Sequence, residues 1–113
     1  MFIYKASDRL VFNILNKINY GYLEVTSFDG SILKFGNPKD NLKANLIIKK
    51  SNFTYNLITG GSIGFAECYM RGEFETGNLS NLIELTARNI KTIYKFSGLL
   101  DFPFFNFLKN KII

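Results

Sequence analysis

The chain has 113 residues, enough for one domain with a modest core, and its 47% apolar and 16% aromatic content excludes a disordered polypeptide. With no histidine and one cysteine, Cys68, it has no means of building a Ser-His-Asp triad, a histidine general base, a histidine-bearing zinc site, an internal disulfide or a cysteine-based metal cluster. Fourteen Lys and Arg against nine Asp and Glu leave a net charge of +5, which suits an anionic partner but is also what a Lys-, Asn-, Ile- and Phe-rich, AT-biased coding sequence yields.

The single cysteine fits a reducing compartment. No apolar run reaches the roughly 18–20 residues that cross a bilayer. The start, Met1 to Arg9, lacks the basic-then-apolar form of a signal peptide.

In chain order, residues 7–18 read as an amphipathic helix. Ser7 is the expected N-cap, and Leu10, Val11, Ile14, Leu15 and Ile18 share one face. Tyr20 to Phe28 alternates and is rich in strand formers; Asp29-Gly30 then marks a tight turn, and Ser31 to Phe35 returns as the partner strand. Gly36 to Asn41 is a loop by its turn residues. Lys43 to Lys49 alternates Ala44, Leu46 and Ile48 against Lys43, Asn45 and Lys49, a strand with one covered face.

Ser51 is placed to cap a short helix carrying Phe53 and Leu57, which Gly60 would end in a left-handed conformation. Ser62 is placed to cap a second short helix through Met70, and Gly72 to Glu75 reads as extended. Asn78 is a cap for a longer helix from Leu79, with Leu82, Ile83, Ile90 and Ile93 toward a core, before Gly98 and Pro103 break the pattern. The expected architecture is a single α+β domain over residues 1–97, a small, mainly antiparallel sheet with helices packed on one face. Residues 98–113 are expected to begin an inter-domain linker, helical or interfacial.

Several residues along this path resemble one family. They are Gly21-x-Leu23, Asp29-Gly30, Phe35-Gly36, Ala44, Phe53, Gly60-Gly61-Ser62, Gly64, Glu67, Tyr69-Met70, Gly72, Phe74, Leu79 and Asn89. Together they are similar to the N-terminal domain of cyclopropane-fatty-acyl-phospholipid synthases, S-adenosylmethionine-dependent methyltransferases. The specific part is Gly60 to Gly72, while Phe74 stands where that family usually has tryptophan. A weaker likeness is to a reduced sterol-carrier-protein-2 fold.

The resemblance implies a non-catalytic, lipid-engaging domain or fragment of a synthase that transfers a methylene to unsaturated phospholipid acyl chains. The family's catalytic domain, with its glycine-rich cofactor loop, has no counterpart in these residues. No catalytic or cofactor-binding residue is therefore carried over, and S-adenosylmethionine is implied only for that other domain. The implied partners are a methyltransferase domain, in the same or a separate chain, and an anionic phospholipid surface, with a homodimer also allowed and nucleic acid disfavoured. The implied location is cytoplasmic, peripheral at the inner face of the membrane. The alternative is a free-standing sterol-carrier-like lipid-binding module without activity.

Four groups of residues stand out as candidate sites. Gly60, Gly61, Gly64 and Gly72 lack both the lysine of a P-loop and the preceding strand of a dinucleotide fingerprint, so they read as structural punctuation. Glu67, between Ile63, Phe65, Ala66 and Tyr69, is expected to be half-buried, either fixing a partner domain or a lipid-facing loop, or satisfied by backbone N–H groups or Arg71. Lys34, Lys43, Lys49 and Lys50 lie near Tyr20, Tyr22, Phe28 and Phe35. They read as a solvated sheet face, a surface for anionic headgroups, or a single-strand binding face. Leu99 to Leu108, with Phe104, Phe105 and Phe107 followed by Lys109 and Lys111, reads as an interfacial segment or as a surface packed on a catalytic domain.

Overall fold

The computed structural model describes residues 5–97, together with every side chain in that range except those of Ser62 and Ser97. The Ser62 side chain, expected as a cap, is not among those described, and the expectations for Gly98 and Pro103, for Leu99 to Leu108 with Phe104, Phe105 and Phe107, and for Lys109 and Lys111 lie outside the described residues.

Helix α1 spans Ala6–Leu15. It starts ahead of the expected Ser7 cap because Asp8 accepts the Lys5 backbone N–H at 3.2 Å, placing a carboxylate where the helix dipole favours one. Ser7 lies inside the helix and its hydroxyl hydrogen-bonds that of Thr54 at 2.9 Å. The helix also stops short of Ile18: the Lys17 and Ile18 N–H groups close onto Ile14 and Leu15 carbonyls. Ile18 is buried nonetheless, so the apolar period outlasts the helix.

Four strands follow: β1 (Tyr22–Thr26), β2 (Ile32–Gly36), β3 (Lys43–Ile48) and β4 (Phe74–Glu75). Their order in the sheet is β2-β1-β3-β4. β1 pairs antiparallel with β2 and parallel with β3, and β3 pairs antiparallel with β4, so the sheet is mixed and mostly antiparallel. The parallel pair requires the loop after β2 to cross the end of β1. Asp40 pins that crossing by accepting the Gly21 N–H at 3.0 Å and the Leu42 N–H at 2.9 Å. Those bonds, Leu42's first, hold the Asp40 carboxyl below its ordinary value.

Alternation decides the two faces of the sheet. Leu23, Val25, Phe35, Ala44, Leu46 and Ile48 are buried beneath the helices, while Glu24, Lys34, Lys43 and Asn45 point the other way. The helical layer is α1, α2 (Phe53–Met70), α3 (Leu79–Arg88) and α4 (Ile90–Ser97). α1 packs against both α2 and α4, α3 packs on β3, and α2 reaches β4.

Two boundaries differ from the expectation. α2 is preceded by Asn52 without a side-chain cap, rather than being capped by Ser51, and its break falls at Gly61, one residue after Gly60. The run from Leu79 is interrupted at Asn89, which separates α3 from α4. Leu82 and Leu85 face the core and Ile83 is 52% exposed. Asn78 does cap α3, accepting the Asn81 N–H at 3.0 Å.

Candidate functional site

Between the sheet and the helical layer lies an apolar cavity of about 150 Å³. Leu23 and Leu46 form part of its floor, Phe12 and Leu15 of α1 one side, and Leu57 and Ile58 of α2 another. Ile90 and Ile93 of α4 face them from across the void. No lining residue is charged, and only Thr86 and Tyr94 contribute polar side-chain atoms. The Thr86 hydroxyl is already spent, donating to the Leu82 carbonyl at 2.9 Å.

The void exists because α1 bridges α2 and α4 while α2 and the α3–α4 pair have sparse direct contact. Gly61, with φ +60 and ψ −138, bends α2 at the cavity wall. A cavity of this size and lining admits an apolar solute about as large as benzene. A charged or strongly polar ligand would lose its hydration there without replacement.

The Gly60 to Phe74 residues form the support of this cavity rather than a second site. A Cβ on Gly60 would meet nothing within 4 Å, whereas one on Gly64 would lie 2.9 Å from the Asn56 carbonyl oxygen, so Gly64 is where the two halves of α2 approach closely. Gly72, with φ +71, turns the chain from α2 into β4. Phe74 is 1% exposed, with the rings of Phe53, Phe65 and Tyr69 at centroid distances of 5.1, 5.1 and 5.6 Å. Met70 is 80% exposed.

The Glu67 side chain is 53% exposed and pairs with Arg71 at 3.3 Å across one helical turn, the ion pair that was one of the roles expected of it. The buried acid is Glu73, at 5% exposure, which sequence reading passed over. It accepts from Asn56 at 2.8 Å and from the Arg71 guanidinium, and these two bonds hold its carboxyl below the ordinary range. Its neighbour Cys68 is buried, and burial first, then the Glu73 carboxylate, pushes that thiol up to about 11. The thiol therefore stays protonated at neutral pH and is a poor nucleophile. The one sequence signal for Glu73 was its place between the Gly72 turn and the Phe74 anchor, where the backbone passes beneath α2.

Of the four candidate lysines, Lys34, Lys43 and Lys49 share the open face of the sheet by strand parity, and Lys50 begins the turn into α2. Lys43 lies 6.0 Å from the Tyr22 ring centroid. The same face carries Glu24, opposite Lys34, and Glu75, opposite Ile47, so its charge is mixed. Sequence reading overlooked a different grouping. From Arg9 through Leu23 and throughout α4 no residue is acidic, and α1 and α4 pack together. Among the described residues no group of His, Cys, Asp or Glu could hold a metal ion, and no helix is long and apolar enough to cross a membrane.

The family described as "Domain of unknown function (DUF7884)" matches residues 10–97, most of the chain and nearly all of the described fold. The chain belongs to this family. No curated protein matches it, and no solved structure does. The matched span runs from the middle of α1 to the end of α4, and so takes in the elements that enclose the DUF7884 cavity.

Proposed function

We propose that this DUF7884 domain is a non-catalytic lipid-engaging module that holds the hydrocarbon end of a lipid in the cavity between its sheet and helices. The observation that carries the reading is the uncharged, almost wholly apolar lining of that cavity. Roughly six carbons of chain match its size. Each buried methylene contributes about 0.8 kcal/mol, so such an end is worth on the order of 5 kcal/mol before the costs of association. The lining offers no charged partner for the sulfonium or carboxylate of S-adenosylmethionine, and so does not suit that cofactor.

The resemblance of Gly60 to Phe74 to cyclopropane-fatty-acyl-phospholipid synthases supports a more specific form of the proposal. The domain works beside a methyltransferase domain, in the same or a separate chain, at an anionic phospholipid surface on the cytoplasmic side. It positions an unsaturated acyl chain for methylene transfer, while the cofactor binds elsewhere. Positioning alone can supply several kcal/mol of a barrier. A free-standing lipid carrier resembling sterol carrier protein 2 would use the same cavity.

The test is methylene transfer from S-adenosylmethionine to unsaturated phospholipid vesicles. The isolated chain is expected to form no product, and to raise the yield of a synthase catalytic domain supplied with it. Product from the isolated chain would contradict the reading. So would an Ile58→Trp chain, its cavity filled, that assists as well as the native one. Lipid transfer between vesicles with no effect on the catalytic domain would favour the carrier.

A further inference from the structure

We infer that the face formed by α1 and α4 docks the domain on an anionic phospholipid bilayer, with Lys17, Lys91 and Lys95 against the headgroups and Phe96 at the hydrocarbon boundary. The ammonium groups of Lys17 and Lys95 converge on one ring, lying 4.8 and 5.4 Å from the Phe96 centroid. That ring is 42% exposed. Lys91 and Lys95, four apart on α4, share one side of the helix.

Like charges drawn together at an exposed ring are best stabilised by an anion supplied from outside. No carboxylate of α1 or α4 competes for them: α4 has none, and Asp8 at the far end of α1 is engaged by the Lys5 N–H and the Thr54 hydroxyl, while Glu84 of the neighbouring α3 is held by Arg88 at 2.9 Å. The open sheet face, by contrast, interleaves Lys34 and Lys43 with Glu24 and Glu75. Charge complementarity therefore selects the helical face.

The chemistry beneath the lysines selects a bilayer over other polyanions. Ile90, Ile93 and Tyr94 of the same helix line the hydrocarbon cavity, and Leu15 and Ile18 line it from the Lys17 side. Lysines and an exposed aromatic over an apolar interior are the arrangement of an interfacial surface. This inference rests on the reading of the cavity as a hydrocarbon site and names the surface through which a membrane lipid would reach it.

The experiment is cosedimentation of the full chain with phosphatidylcholine vesicles, with and without phosphatidylglycerol, at low salt. The native chain is expected to sediment only with the anionic vesicles. The triple variant K17Q/K91Q/K95Q is expected to lose about a hundred-fold in partitioning, since each lysine near such a surface is worth roughly a factor of five. The control K34Q/K43Q/K49Q is expected to stay within a few-fold of native. The inference is overturned if the control loses binding and the α1–α4 variant keeps it, if the native chain stays in the supernatant, or if the same lysines capture single-stranded nucleic acid in preference to vesicles. Binding of a short alkanol, measured separately, distinguishes the two levels. A chain that sediments with vesicles yet binds no alkanol contradicts the cavity reading and leaves the docking surface standing.

Discussion

Asn89 is 1% exposed and every hydrogen-bonding group of its amide is used. Its oxygen accepts the Asn19 and Tyr20 N–H groups at 2.9 and 3.1 Å, and its nitrogen donates to the Tyr20 and Leu85 carbonyls at 2.9 and 2.8 Å. One side chain thus replaces the backbone partners lost where α3 gives way to α4, and ties that joint to the chain entering β1. Replacing it by leucine strands several of those groups, and the expected loss is about 3 kcal/mol in urea unfolding. A loss below about 1 kcal/mol would contradict this assignment. Glu73 gives a pH prediction. Its folded pKa lies below the ordinary 4.5, so its contribution to stability is complete above that value and is lost as pH falls through the folded pKa. Glu73→Gln should flatten the acid limb of the stability curve, and an unchanged limb would contradict it. Neither residue's burial was legible in sequence. Glu67 sits among apolar neighbours and Glu73 lies between Arg71-Gly72 and Phe74-Glu75, yet the second is the buried one; only the helical or extended path of the backbone decides which carboxylate turns inward.

At the scale of the element, α2 shows how sequence signals carry and where they stop. The glycine pair announces a break, but only the backbone shows that Gly61, rather than Gly60, takes the positive φ. Three alanine substitutions should therefore separate sharply. Gly61→Ala forces a side chain into a region that costs of order 1–3 kcal/mol. Gly64→Ala pushes a methyl against the Asn56 carbonyl, a backbone atom that cannot rotate away. Gly60→Ala meets open space and should be neutral or stabilising by about 0.4–1 kcal/mol. Thermal unfolding of the three variants reads the order directly, and a Gly60→Ala penalty equal to that of Gly61→Ala would relocate the break. The strands were more legible than the helix ends, because a period of two tolerates no ambiguity about face. Residues 43–49 alternate as their sequence requires, while α1 begins after Lys5, whose N–H bonds Asp8, rather than at Ser7, and α2 begins after Asn52, which makes no side-chain cap, rather than at Ser51. A cap depends on local competition among acceptors, which composition does not rank.

For the whole molecule, the α+β class and the one-sided helical layer follow from the order and periodicity of the segments, and the structure has both. Two features do not follow. The parallel β1–β3 pair depends on which way the loop pinned by Asp40 crosses the sheet, a tertiary choice. The cavity is a small difference between large volumes, set by the spacing of α2 from α4, and no residue in the lining differs in type from an ordinary core residue. The same limit makes Lys34 and Lys43 legible as a group in the sequence where Lys17 and Lys95 are not. The first pair lie on alternating strands, whereas the second pair meet only when α1 packs on α4.

The most direct test of the account is binding of a homologous series of linear alkanols to the full chain, followed by methyl NMR at Leu57, Ile58, Ile90 and Ile93. The account predicts saturable shifts at these methyls and an affinity that rises about four-fold per added methylene, levelling off near six carbons as the cavity fills. Shifts confined to surface residues, or an affinity that climbs undiminished past that length, would contradict it.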